Sequence, residues 1–241
     1  MWPMSELTRT LAVTEFFLSL QGEGTRAGRV CAFIRLAGCN LSCTWCDTVY
    51  AWKPGEMDRP ERCDVDTVIE RVAAMGSRLV EVTGGEPLLQ AATPELLTRL
   101  CDAGYEVVLN TSGSVGVQTI DERVHVALDI KCPASGQSER MDLGNLATLV
   151  AGRDEVKFVI ADRGDYDWAV GLCREHGLFE RVTVGFSPVT PAAFRGDMAT
   201  WPLPGQLAAW LLAERSPATL WMQQHRLLWP AAIRGTEENA T

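Results

Sequence analysis

The sequence predicts an α/β fold, a complete or partial (β/α) barrel with about six or more parallel or mixed strands. From about Leu79, short β-rich runs alternate with helix-like stretches, which is the spacing of βαβ units in a parallel sheet. Hydrophobic residues make up 46% of the 241 residues and charged residues 22%, as in an average globular protein with a sizeable core. An open doubly wound sheet is the second choice.

The elements follow in chain order. TEFFLSL and RVCAFIRLAG are the first strands, and the second of them ends at Gly38. Strands LVEVTGG, YEVVLNTSG, VHVALDIK, DEVKFVIA, RVTVGFSP and TLWMQQ follow, with helices PELLTRLCDAG and DYDWAVGLCREHG between them. Pro94 suits a first helical turn, and a helix could end in a left-handed residue at Gly76, Gly104 or Gly177.

We expect one domain over residues 1–241, with a flexible polar tail over residues 231–241. The net charge of −9 argues against nucleic acid as a partner, because phosphate binding needs clustered Lys and Arg. No apolar run reaches the roughly 18 residues of a membrane span, and the first residues do not read as an export signal. These features predict a cytoplasmic protein without a membrane partner, in which five scattered cysteines are buried free thiols: Cys31, Cys63, Cys101, Cys132 and Cys173.

Three further cysteines lie close together in RLAGCNLSCTWCDT, on the loop that follows the second strand. In α/β folds, ligands bind at the carboxyl ends of parallel strands, so Cys39, Cys43 and Cys46 occupy a functional position. A structural zinc site needs four ligands. A [4Fe–4S] cluster with three thiolates keeps one iron open, as catalysis requires. Whether Cys31 is a fourth ligand stays open.

The spacing C-x3-C-x2-C is similar to that of the radical S-adenosylmethionine (SAM) superfamily. The resemblance implies that the amino and carboxylate groups of SAM chelate the open iron and that reduction of the cluster yields a 5′-deoxyadenosyl radical. VTGGEP, residues 82–87, resembles the superfamily motif that holds the methionyl amino group. An ordinary Gly-rich turn is the alternative for this segment taken alone.

The segment FFLSLQGEGTRAGRVCAFIRLAGCNLSCTWCDT closely resembles the 7-carboxy-7-deazaguanine synthase family. LNTSG, DIKCPASG, EVKFVIADRGDYDWA and WMQQHRLLW resemble later blocks of the same family, so the resemblance runs from about Glu15 to Pro230. It implies a lyase of 7-deazapurine (queuosine) biosynthesis, which converts 6-carboxy-5,6,7,8-tetrahydropterin to 7-carboxy-7-deazaguanine with loss of ammonia.

The resemblance also implies residue roles. Cys39, Cys43 and Cys46 would hold the cluster, and Thr48 would bind Mg²⁺. SAM would be bound by Trp45, Cys46, Asp47, Gly84, Gly85, Glu86, Thr111, Ser112, Asp129, Ile130, Lys131 and Ser135. The pterin would be bound by Leu20, Gln21, Gly22, Glu23, Arg35, Thr83, Gln223, His225 and Pro230.

Chemistry supports some of these roles. Glutamine and glutamate suit the guanidine-like edge of a pterin, although QGEG also reads as a polar turn. The Arg35 guanidinium matches a substrate carboxylate, with a structural ion pair as the alternative. Arg226 replaces the lysine that is usual in the block containing Gln223 and His225.

The family resemblance further implies a homodimer and a reducing partner such as flavodoxin or ferredoxin. Two other functions stay open. A radical SAM activase that acts on a protein glycine shares the cysteine and GGEP motifs, and a zinc-stabilised binding module would need no catalysis.

Overall fold

The structure is a computed structural model that describes residues 10–57, 59–232 and 234–235. One nine-stranded sheet, with the strand order β3-β1-β2-β4-β5-β6-β7-β8-β9, organises these residues. The strands are β1 (Thr10–Leu20), β2 (Val30–Leu36), β3 (Glu61–Asp64), β4 (Leu79–Gly84), β5 (Glu106–Thr111), β6 (His125–Ile130), β7 (Glu155–Ile160), β8 (Thr183–Pro188) and β9 (Thr219–Leu220).

The sheet is a partial barrel. β1 pairs antiparallel with β2 and β3, whereas every pair from β2 to β9 is parallel. The order has two ends, β3 and β9, so the described strands do not close into a cylinder. The predicted α/β fold with parallel and mixed strands is confirmed, in its partial form.

Helices are α1 (Val65–Met75), α2 (Thr93–Asp102), α3 (Asn145–Thr148), α4 (Arg163–Glu175), α5 (Leu203–Glu214) and α6 (Gln224–Leu228). α1 begins where the Asp64 side chain accepts a hydrogen bond from the Thr67 amide at 2.8 Å, and it ends at Gly76 with φ of 72°. Pro94 lies in the first turn of α2, as predicted. α1, α2, α4 and α5 pack against the outer face of the sheet. No helix in the described ranges has the length and apolarity of a bilayer crossing.

Two buried clusters fill the space between the sheet and its helices. One joins β2, β4 and β5 to α1 and α2, and the other joins β6, β7 and β8 to α4. In the second cluster, the Phe158 and Tyr166 rings each contact the Phe186 ring edge-on, with ring centroids 5.7 Å and 5.6 Å from that of Phe186. The inner face of the sheet carries a third, smaller apolar cluster around Phe17, Phe33 and Val108, together with polar side chains.

The five scattered cysteines are free, and all but the partly exposed Cys101 are buried. Cys31 is completely buried near the start of β2, where the strand register places it opposite Ser19 on β1. The cysteine loop follows the other end of that strand, and each strand residue adds roughly 3.3 Å. Cys31 is therefore too far away to serve as a fourth cluster ligand.

Candidate active site

A cavity of about 560 Å³ opens at the carboxyl ends of the parallel strands. This volume lies within the range of small-molecule sites. Because side chains alternate along a strand, every second residue faces the cavity. The strand residues that line it include Phe33, Arg35, Glu81, Thr83, Val108, Asn110, Ala127, Asp129, Glu155, Lys157 and Val159.

The cysteine loop, defined as residues 39–48, forms one wall of this cavity. All three thiols line it. The Leu41 amide donates to Cys39 Sγ at 3.4 Å, and the Trp52 indole N–H donates to Cys46 Sγ at 3.2 Å. N–H donors stabilise a thiolate ligand, so the loop is preorganised for soft metal chemistry.

The donor set fits a cluster better than a zinc ion. No group of three or more His, Cys, Asp or Glu among the described residues is placed to hold one metal ion. Three thiolates on one zinc would lie roughly 4 Å apart, since the Zn–S bond is about 2.3 Å. A [4Fe–4S] cluster carries its thiolates on separate irons, which suits three cysteines that share a wall without converging on one point.

The GGE turn, residues 84–86, is hydrogen-bonded to the backbone just before the cysteine loop. The Glu86 amide donates to the Gly38 carbonyl at 2.8 Å and the Gly85 amide to the Leu36 carbonyl at 3.1 Å. A Cβ on Gly85 would collide with the Gly38 backbone. Glycine is therefore required here because two backbones touch, and Gly84 and Gly85 are left facing the cavity.

The Glu86 side chain turns away from the cavity. It is completely buried and accepts from the Ser112 amide at 2.8 Å, the Ser112 hydroxyl at 2.6 Å and the Thr111 hydroxyl at 2.8 Å. The Leu88 amide donates to it at 3.1 Å. This carboxylate ties the end of β4 to the end of β5, so it supports the cavity wall.

The LQGE loop, residues 20–23, follows β1 and lines the same cavity as the cysteine loop. The Gln21 side-chain N–H₂ donates to one oxygen of Glu81, and the Asn110 side-chain N–H₂ donates to the other at 3.1 Å. Burial raises the pKa of Glu81, although both amides oppose this effect. Glu81 thereby fixes the Gln21 side-chain amide, whose oxygen accepts from the Glu23 backbone N–H at 3.4 Å and keeps a second lone pair for a ligand.

Arg35 lies against the aromatic rings of Phe17 and Tyr50, with its guanidinium carbon 5.4 Å and 5.9 Å from the ring centroids. Its Nε donates to Glu15 at 2.6 Å, and the Tyr50 hydroxyl donates to the same oxygen at 2.7 Å. The structural ion pair is thus present. It uses one edge of the guanidinium and fixes the direction of the remaining donors.

The C-terminal segment, residues 221–232, crosses the LQGE loop. The Gln224 amide donates to the Gly22 carbonyl at 3.0 Å, and the His225 ring fills the space next to Gly22 that a side chain would need. Gln223, His225 and Pro230 all line the cavity. Within the predicted tail, Arg234 lies 4.7 Å above the Tyr50 ring; most of that tail lies outside the described residues.

Most of the predicted site residues meet in this cavity. Those that line it are Leu20, Gln21, Gly22, Glu23, Arg35, Cys39, Cys43, Trp45, Cys46, Asp47, Thr48, Thr83, Gly84, Gly85, Ser112, Asp129, Lys131, Gln223, His225 and Pro230. Four predicted SAM residues are not part of its lining: Glu86, Thr111, Ile130 and Ser135. Ser135 instead accepts from the Thr44 amide and hydroxyl through its carbonyl, which anchors the cysteine loop. Contact of these four residues with SAM stays a prediction.

Sequence reasoning missed Glu15, Glu81, Asn110 and Lys157. Each is a polar residue inside a strand. Glu81, Asn110 and Lys157 interrupt strands that would be continuous apolar runs in a parallel sheet buried on both faces. That break in the pattern was the available signal.

Comparison with known proteins identifies the family of the chain. The family model of the radical SAM superfamily matches residues 33–134. A 7-carboxy-7-deazaguanine synthase from Chlorobaculum tepidum is 40% identical over 93% of this chain and 97% of the relative. The enzyme of the same name from Koribacter versatilis is 38% identical over 93% of this chain and all of the relative.

Solved structures show the same fold. The crystal structure of QueE from Escherichia coli matches with a TM-score of 0.66 at 22% identity, over 90% of this chain and 95% of that one. Streptococcus suis SuiB bound to S-adenosylmethionine matches with a TM-score of 0.54 at 8% identity, over 83% of this chain and 52% of that one.

Proposed function

The chain belongs to the 7-carboxy-7-deazaguanine synthase family of radical SAM enzymes, and from this premise we propose that it converts 6-carboxy-5,6,7,8-tetrahydropterin to 7-carboxy-7-deazaguanine with loss of ammonia. The observation that carries the proposal is one cavity that is lined by three thiols, by the LQGE loop and by Arg35. Neither a glycyl radical activase nor a zinc module is favoured by the family relationship.

The cofactors of this family are a [4Fe–4S] cluster and SAM, which when bound supply the radical that abstracts a substrate hydrogen. Cys39, Cys43 and Cys46 would hold the cluster. The backbone of Gly84 and Gly85 borders the same cavity and lets a ligand approach closely. The chain's own task is to place the substrate carbon against the cofactor and to keep water out.

Recognition of the pterin rests on two acceptors. Glu23 supplies a carboxylate, and Gln21 supplies a side-chain oxygen with one lone pair left beside the Glu23 N–H, so both can accept from the N–H groups of the guanidine-like edge. Arg35 would bind the substrate carboxylate with the donors that Glu15 leaves free. Thr48, whose hydroxyl is 3.7 Å from Cys46 Sγ, would supply one ligand to Mg²⁺ at the same carboxylate.

The cysteine loop reaches the protein surface, where Thr44 is exposed. A reducing partner such as flavodoxin or ferredoxin would deliver its electron there. Homodimer formation and a cytoplasmic location stay predictions.

The deciding experiment is an anaerobic assay of the reconstituted protein with dithionite, SAM, Mg²⁺ and the carboxytetrahydropterin. Mass spectrometry should detect 7-carboxy-7-deazaguanine without any protein substrate. Release of 5′-deoxyadenosine without that product would keep the radical SAM assignment and reject the proposed substrate.

Replacing Arg35 with lysine should raise KM for the carboxypterin by about 10- to 100-fold, because an ammonium cannot replace the fork that binds Glu15 and a carboxylate together. Steady-state anaerobic kinetics measure the effect. Arg99→Lys is a matched control, since Arg99 makes an exposed ion pair with Asp66 on the outer face.

A tetrahydropterin without the carboxylate sharpens this test. The wild-type protein and Arg35→Lys should bind it with similar affinity, because the lost contact is absent from both complexes. An unchanged KM for the carboxypterin in Arg35→Lys would contradict the assigned role.

A further inference from the structure

Lys157 lies between two parts of the site that the proposed function keeps separate. It projects from β7 into the cavity with 12% of its side chain exposed. The sheet register places it opposite Asp129 on β6, and its ammonium is 2.9 Å from Asp129 Oδ2. On its other side, the ammonium is 3.3 Å from Glu23 in the LQGE loop.

These contacts belong to a longer row of alternating charges. Lys131 lies 2.9 Å from Asp129 Oδ1 at the end next to the cysteine loop. At the other end, the Gln223 side-chain N–H₂ donates to Glu23 Oε1 at 3.2 Å. The row therefore connects residues assigned to SAM with residues assigned to the pterin, and Lys157 is its central member.

The central charge stays on Lys157 at neutral pH. Burial lowers the pKa of Lys157, but the carboxylates of Asp129 and Glu23 outweigh burial and hold that pKa above its ordinary value. Burial likewise raises the pKa of Asp129, and the two lysines outweigh it and hold the pKa low. A group fixed as a cation between two anions is suited to hold geometry and unsuited to donate a proton.

Two buried oxygens of the row, Asp129 Oδ1 and Glu23 Oε2, accept no hydrogen bond from the described residues, and the second belongs to the LQGE loop. Lys157 lies at ion-pair distance from Glu23 Oε2. A buried acceptor without a donor is costly unless a ligand supplies one. The position of that oxygen depends on Lys157, since the ammonium contacts both Glu23 oxygens.

We propose that Lys157 is a positioning residue that fixes the LQGE loop, through Glu23, relative to the SAM-binding strand, through Asp129. It touches the reacting groups only through these two carboxylates. The proposal rests on the proposed function for the identity of the two ligands, but not for the coupling itself. Its consequence is that a change at Glu23 alters SAM binding, and only while Lys157 is present.

A double-mutant cycle read by SAM binding tests the coupling without any pterin. Anaerobic calorimetry on the reconstituted protein gives the SAM dissociation constant for wild type, Glu23→Gln, Lys157→Met and the double variant. We expect Glu23→Gln to shift that constant by at least about threefold in the wild-type background and to leave it unchanged in Lys157→Met. Lys157→Arg, which keeps the charge, should restore the shift in part.

Lys53→Met is the matched control, because Lys53 makes an exposed ion pair with Glu56 and does not line the cavity. Additive effects of Glu23→Gln and Lys157→Met would overturn the proposal. Lys157→Gln replaces Lys157→Met in the cycle if the methionine variant does not fold. A wild-type protein that binds SAM but makes no deazapurine would reject the proposed function and leave the cycle interpretable.

Discussion

Cys43→Ala should abolish the anaerobic reaction and leave the protein without the brown iron–sulfur absorption. Cys43 is one of three thiols that line the cavity, and Cys31 is too far away along β2 to replace it. Without Cys43, only two thiolates would hold the cluster, and the radical chemistry depends on the cluster. Iron and sulfide analysis, visible absorption and product mass spectrometry measure the loss.

Cys101→Ala is the matched control. Cys101 is a partly exposed free thiol at the end of α2, on the outer face of the sheet. It should keep the iron content and the product yield of wild type. Full iron content and full activity in Cys43→Ala, or stoichiometric zinc without iron in the wild-type protein, would contradict the cluster assignment.

Much of the fold was predictable because its signals are local. The runs from LVEVTGG to RVTVGFSP became β4 to β8 with α2 and α4 between them, since buried parallel strands read as short apolar runs. The end of α1 at Gly76 was predicted, but its start was not, although the Asp64 side chain caps it. β3 was missed because its four residues, ERCD, carry no strand pattern and are held by pairing with β1.

The site divides in the same way. Cys39, Cys43 and Cys46 were readable because their spacing along the chain is itself the ligand pattern. Contacts that arise from strand pairing were not readable, since the register decides them. Arg35 meets Glu15 because β1 and β2 place them opposite each other, and no local pattern contains that pairing.

Glu86→Ala should lower the free energy of unfolding by about 2–4 kcal/mol, because several buried donors lose the acceptor that they share. The substitution removes the acceptor of the Ser112 amide, the Ser112 hydroxyl and the Thr111 hydroxyl, all of which belong to buried residues. Urea denaturation of the protein measures the change. Glu61→Ala is a control that removes an exposed carboxylate paired with Arg71, and its stability should change little.

Glu86→Gln separates support of the wall from direct contact with SAM. Glutamine keeps one acceptor oxygen but turns an N–H₂ group toward donors, so stability should fall in this variant too, by less than in Glu86→Ala. Because the carboxylate points away from the cavity, the SAM dissociation constant should change less than the unfolding equilibrium does. A variant of wild-type stability with strongly weakened SAM binding would show the reverse, that Glu86 acts on the ligand and not on the junction of β4 and β5.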